Sequence, residues 1–114
     1  MKRKQSLYII DIKNAVESII DFTAGMTYEE FNNDDRTFSA VIRKIEIIGE
    51  AAKSVSSEIK ASYPGIPWSV MSRMRDKLIH GYFGIDTDII WKTVKNDLPE
   101  ILPLIISLSN EYKD

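Results

Sequence analysis

Cysteine is absent from the 114 residues, and histidine occurs once. The first absence excludes disulfides and thiolate metal sites, and it fits a reducing compartment. The second leaves His80 with no second imidazole, and no carboxylates at ligand spacing surround it. Neither a metal site nor a cofactor is therefore expected. The five glycines form neither a phosphate-cradling P-loop nor a dinucleotide fingerprint. Basic charge is not in excess: 15 Lys and Arg stand against 17 Asp and Glu, a net charge of -2. A general nucleic-acid binder is usually basic overall. Any RNA contact must then use a local patch, with modest affinity for bulk nucleic acid. Long apolar runs are also lacking. The stretch from Ile101 to Leu108 falls well short of the ~20 residues that a membrane span needs. The apolar run after Lys2-Arg3-Lys4 is broken by Asp11 and Lys13, unlike a signal peptide. A cytoplasmic protein with no membrane partner is expected.

What remains is an ordinary globular composition, 44% hydrophobic and 28% charged, in a length suited to a single domain over residues 1–114. Its dominant period is helical. Leu7, Ile10, Val16, Ile19, Ile20 and Phe22 predict a first helix over about Ser6 to Ala24, stopped by Gly25. Thr27 can cap a short turn through Phe31, and Asn32-Asn33-Asp34-Asp35 reads as a break and an N-cap. A long second helix follows from about Asp35 to Ser62, with Phe38, Val41, Ile42, Ile45, Ile48, Ala52, Val55 and Ile59 at steps of three and four. The Tyr63-Pro64-Gly65-Ile66-Pro67 turn leads into a third helix over Trp68 to His80. Val70, Met71, Met74 and Leu78 form its apolar face, and Gly81 suits a left-handed end. A fourth helix starts after Asp86 or Thr87, its face including Ile89, Ile90 and Val94. Pro99 and Pro103 either kink it or divide it, with Asp97 as a second N-cap. No strand-like alternation of useful length appears. The expected architecture is an all-α, up-and-down bundle of four main helices plus a short helical turn.

The most informative stretch is Arg75-Asp76-Lys77-Leu78-Ile79-His80-Gly81-Tyr82. It supplies a fixed cation, a group that titrates near neutrality, and a phenol. Arginine can hold a phosphate bidentately, and imidazole can move a proton as a phosphodiester is cut. Five positions on a helix span about 140°, so Arg75 and His80 flank a groove rather than share a stripe. Gly81 can end the helix and free Tyr82 to turn back beside His80. One histidine does not easily serve as both acid and base, whereas a two-fold dimer would bring two Arg/His sets to one cleft. Arg73 and Lys77 complete a local basic patch for RNA. A lone histidine beside a helix-ending glycine can equally be a capping or packing residue, and that reading stays open at this stage.

Arg75-x4-His80-x-Tyr82 followed by Phe83-Gly84-Ile85-Asp86, together with Ile47-Ile48-Gly49-Glu50-Ala51-Ala52, resembles the HepT-like toxins of the HEPN superfamily. The resemblance spans nearly the whole chain. It implies a HEPN-like helical bundle acting as a homodimer and as a metal-independent endoribonuclease, with Arg75 and His80 catalytic. It also implies a toxin–antitoxin pair, in which a cognate nucleotidyltransferase antitoxin neutralises the toxin by adding AMP to Tyr82. Two other classes remain: a non-catalytic, nucleotide-binding HEPN subunit of a nucleotidyltransferase complex, and a plain helical interaction protein.

Supporting roles divide similarly. Asp76 either orients His80 four residues on or bridges to Arg73 or Lys77. Glu46 and Glu50 are a like-charge pair, either neutralised locally by Arg43 and Lys53 or leaving Glu50 to receive Arg75 or Arg73 from the third helix. Gly49 costs about 1 kcal/mol within a helix, which a close helix–helix approach would explain. Trp91 is either a dimer-face aromatic or a buried anchor.

Overall fold

The computed structural model describes residues 3–80 and 86–114, and of 77–80 the backbone alone. Helix α1 (Gln5–Phe22) lacks a local side-chain cap at Lys4. Its first amides instead donate to the Asp114 carboxylate, Gln5 N–H at 2.6 Å and Ser6 N–H at 3.3 Å. The Ser6 side chain foremost, and then these two amides, hold the Asp114 pKa below its usual range. The helix ends where expected, with Gly25 at φ +74°, in the left-handed region that glycine enters without strain.

Short helix α2 (Tyr28–Asn32) starts in a capping box. Glu30 N–H donates to Thr27 Oγ1 at 3.2 Å, and Thr27 N–H donates to Glu30 Oε1 at 3.0 Å. That turn carries Phe31 into the core, 5.0 Å from the Trp91 ring and 5.6 Å from Phe38. Trp91 is therefore an anchor within the chain, roofed by Lys95 at 4.7 Å. Asp34 caps α3 (Asp35–Ser54), accepting from Thr37 N–H.

The expected second helix is divided. Val55 turns extended and Ser56 caps a separate α4 (Ser57–Ser62), its hydroxyl accepting from Ile59 N–H. The Gln5 side chain spans the break: its amide donates to Ser54 O and accepts from Ser56 N–H. Serine caps favour such an interruption over a continued helix, and both Val55 and Ile59 stay buried across it.

Helix α5 (Trp68–His80) has the bounds that the sequence predicts, and Trp68 Nε1–H donates to Tyr63 O in the preceding turn. The final unit is one helical run: α6 (Thr87–Lys92), a π-helical stretch (Thr93–Asp97) and α7 (Leu98–Glu111). Asp86 caps it, accepting from Asp88 N–H. Asp97 is helical and its side chain caps nothing, which removes the division that was one of the two expected forms. Pro99 has no N–H to give. The chain widens just ahead of it, so that Leu98 N–H reaches back to Thr93 O.

Helix α3 is central, packed on α1 along one side and α5 along the other, while α1 also packs on α7. The core stripe of α1 is Ile9, Ile12, Ala15, Val16 and Ile19. Leu7, Ile10 and Phe22 are exposed instead, because residues one or two positions off the stripe turn away from α3 and α7. Val70 and Ile89 leave their expected apolar faces for the same reason, whereas Met71 and Ile90 are buried. The four-unit all-α bundle is as expected, with α2 and α4 as short additions.

Candidate active site

The site begins with a missing side chain. A Cβ built on Gly49 would lie 2.1 Å from Arg75 Cβ, 2.9 Å from Arg75 Cγ and 3.0 Å from Met71 O. Only glycine lets α5 come this close to α3, as its mid-helix position suggested. The aliphatic stem of Arg75 lies flat on that bare backbone, leaving the side chain 28% exposed. An arginine held by its stem keeps its planar fork of donors facing outward.

The charges described around Arg75 include a contact that the sequence reading did not name. Asp76 Oδ1 accepts from Lys53 Nζ on α3 at 2.5 Å and lies 3.4 Å from Arg75 Nη1. Its partner among the described side chains is thus Lys53 and not Arg73, while the Lys77 alternative lies outside the described residues. The hydrogen bond from Lys53 is the main cause holding the Asp76 carboxyl below its ordinary pKa. Lys53, expected beside Glu46 or Glu50, is one turn after Gly49. The face of α3 that meets α5 at residue 49 meets it again at residue 53.

Glu50 lies about 100° further round α3, in a polar recess with Arg3, Tyr8 and Asp11 on the α1 side. No ion pair joins it to Arg73 or Arg75, while Arg43 pairs with Glu46 at 3.7 Å. The direct pairing of Glu50 with Arg75 or Arg73 is therefore not made. Nor do Arg73 and Arg75 form one patch. Two positions on a helix are about 200° apart, and exposed Arg73 instead borders a groove with Val70, Met74, Ile89, Thr93 and Asp97.

His80 terminates α5, so its backbone is fixed by the same helix that seats Arg75. The side chains of Lys77 and His80, and the whole of Gly81 and Tyr82, lie outside the described residues. Among the described residues no group of three His, Cys, Asp or Glu side chains is arranged to hold a metal ion, and no helix is long and apolar enough to cross a membrane. The sequence reading missed Lys53 as the partner of Asp76, although Gly49 was the signal. A bare glycine facing the third helix implies that the residue four positions on faces it as well.

Comparison with known proteins identifies the family. Residues 12–108 match the model of the family described as "Ribonuclease HepT-like". A protein of Thermococcus cleftensis named "Probable ribonuclease HepT" is 50% identical over 101 residues, covering 89% of this chain and 92% of its own. "Putative RNase MJ0127" of Methanocaldococcus jannaschii is 44% identical over 114 residues, covering 96% of this chain and 94% of its own. No solved structure gives a significant match. The chain belongs to the ribonuclease HepT-like family.

Proposed function

We propose that this protein is a metal-independent endoribonuclease, in which Arg75 holds the scissile phosphate and His80 transfers the proton. The observation that carries the reading is the seating of Arg75: a stem pressed on Gly49, a guanidinium partly open to solvent, and a place on the helix that ends at His80. In the reaction, the ribose 2′-oxygen attacks the adjacent phosphorus as the P–O5′ bond breaks. The 2′-hydroxyl proton passes to a base, and the departing 5′-oxygen takes one up. Arg75 offsets the charge that grows on the non-bridging oxygens. His80 has a pKa class suited to either proton transfer. Products carry a 2′,3′-cyclic phosphate and a 5′-hydroxyl.

With a single histidine per chain, acid and base roles together call for two copies around one cleft. A separate feature also suits self-association: the groove between α5 and the α6–α7 run, on the Arg73 side of α5. Val70, Ile89 and Leu104 on its flanks are 47%, 60% and 40% exposed. Its rim carries Arg73 against Asp97 and Glu100, and no ion pair joins these within the chain. A two-fold axis would set each copy's Arg73 against the other's carboxylates.

The same reading makes the protein the toxin of a toxin–antitoxin pair. A nucleotidyltransferase antitoxin would join the Tyr82 phenol oxygen to the α-phosphorus of ATP, with pyrophosphate leaving. The added adenylate, bulky and anionic, would occupy the phosphate position beside Arg75.

The test is cleavage of total RNA with chelator present, by protein made without any partner. Parent and Tyr82→Phe should cut, and His80→Ala and Arg75→Ala should not. A folded, unmodified parent that leaves RNA intact would refute the catalytic reading and favour a nucleotide-binding subunit.

A further inference from the structure

Asp76 is the immediate neighbour of Arg75 and the only carboxylate that contacts it among the described residues. A carboxylate that closes on an arginine occupies donors that a phosphate would need. Asp76 does not close in this way. Lys53 reaches across from α3 and holds Asp76 Oδ1 at 2.5 Å, while the Arg75 contact to the same oxygen is single and long, 3.4 Å. Lys53 and Arg75 compete for one oxygen, and Lys53 has the shorter bond.

We infer that Lys53 is a positioning residue that keeps Arg75 available to phosphate by drawing Asp76 away from it. Stability does not account for the bridge. Its side chains are 43% and 40% exposed, and ion pairs so open to water contribute little to folding. Its place does account for it: Lys53 follows Gly49 by one turn, so the contact that seats the Arg75 stem also brings in the cation that occupies the Arg75 neighbour. The seat and the release are built on one face of α3. This inference rests on the ribonuclease reading for its functional meaning but not for its geometry.

The opposing idea is that Lys53 simply contacts RNA. The two differ in sign when Asp76 is removed as well. If Lys53 acts through Asp76, Lys53→Ala lets the carboxylate close on Arg75, and kcat/KM for RNA cleavage falls roughly 10- to 100-fold. Asp76→Asn added to Lys53→Ala then restores most of the loss, and Lys53→Arg, which still holds Asp76, retains activity. If Lys53 binds RNA directly, the double variant is no better than Lys53→Ala.

The experiment pairs this cleavage cycle with NMR measurement of rotation about the Arg75 Nε–Cζ bond, a readout independent of activity, and with thermal unfolding to verify the fold. Slower guanidinium rotation in Lys53→Ala than in the parent, reversed in the double variant, is expected alongside the activity pattern. Unchanged rotation in Lys53→Ala, or a double variant as impaired as the single, would overturn the inference. A parent without activity would sink the ribonuclease reading alone, and the rotation data would still decide the role of Lys53.

Discussion

Replacing Gly49 with alanine sets two well-founded effects against each other. Helix propensity alone favours the change, by about 1 kcal/mol for a glycine in a helix interior. The structure predicts the opposite sign. The new methyl would sit 2.1 Å from Arg75 Cβ and 3.0 Å from Met71 O. Bringing the first contact out to 3.4 Å, where ordinary contact begins, requires more than ~1 Å of separation between α3 and α5. Neither obstacle is the far end of a flexible side chain, so backbone must move. Overpacking of this kind costs about 1–3 kcal/mol, and separation of the seam also loosens Met71, which is 1% exposed. A net loss of up to about 2 kcal/mol is expected, or up to roughly 8 °C in Tm for a domain of this size. On the proposed role of Arg75 in holding phosphate, activity should fall further than stability does, because displacing such a group by about 1 Å can cost ~100-fold. Circular dichroism melts and RNA cleavage well below the Tm separate the two. A Gly49→Ala protein that melts at or above the parent temperature would refute the close-approach argument, and propensity would have won.

Three further outcomes follow from named contacts. Thr27→Ala removes one half of the capping box that starts α2 and should cost about 1 kcal/mol, read as a lower urea midpoint at unchanged slope. An unshifted midpoint would mean that Phe31 packing alone sets that turn. Phe31→Ala, at a fully buried ring between Phe38 and Trp91, should cost about 3–5 kcal/mol, and a loss under ~1 kcal/mol in urea unfolding would contradict that burial. The Lys53–Asp76 pair should show a sign with pH. Because Lys53 holds the Asp76 carboxyl below its ordinary value, its contribution is fully present above about pH 4 and is lost as pH falls through the lowered folded-state value. The Asp76 carboxyl should accordingly titrate below an ordinary aspartate in an NMR pH titration and move up in Lys53→Ala, and an unchanged Asp76 titration in that variant would exclude the linkage.

Much of the fold was legible because local signals agreed with tertiary demand. Gly25, the Thr27 and Asp34 caps and the bounds of α5 are cases where one residue type has one inexpensive conformation. The misreadings share a cause. Val55 and Ile59 continue the apolar spacing of α3, so periodicity alone could not detect the break between them, which is fixed by Ser56 and by the Gln5 side chain 51 positions away. Likewise Pro99 signals disturbance without specifying its form. A widened π stretch satisfies the backbone where a cap at Asp97 was the simpler local solution. On α1, every large aliphatic residue resembles core, and only the positions of α3 and α7 decide that Ile9 and Ile12 are buried while Leu7 and Ile10 are not.

The site divides along the same line. Arg75 and His80 are proposed from residue type and spacing within one helix, the kind of information a linear sequence carries directly. The partner of Asp76 was not found that way, since 23 residues separate it from Lys53 and nothing about lysine as a residue type selects that carboxylate over Glu46 or Glu50. Yet the means to find it was present. Gly49 bears a propensity cost that only a facing element can offset, and accepting that argument fixes which side of α3 meets α5. From there the helical repeat gives residue 53 as the next on that side and places residue 50 about 100° away from it. Glu50 then has to be abandoned as the acceptor for Arg75, and Lys53 becomes the cation facing the Arg75–Asp76 step. A costly glycine thus carries more information about the site than the charged residues around it, because it constrains geometry where they only offer charge.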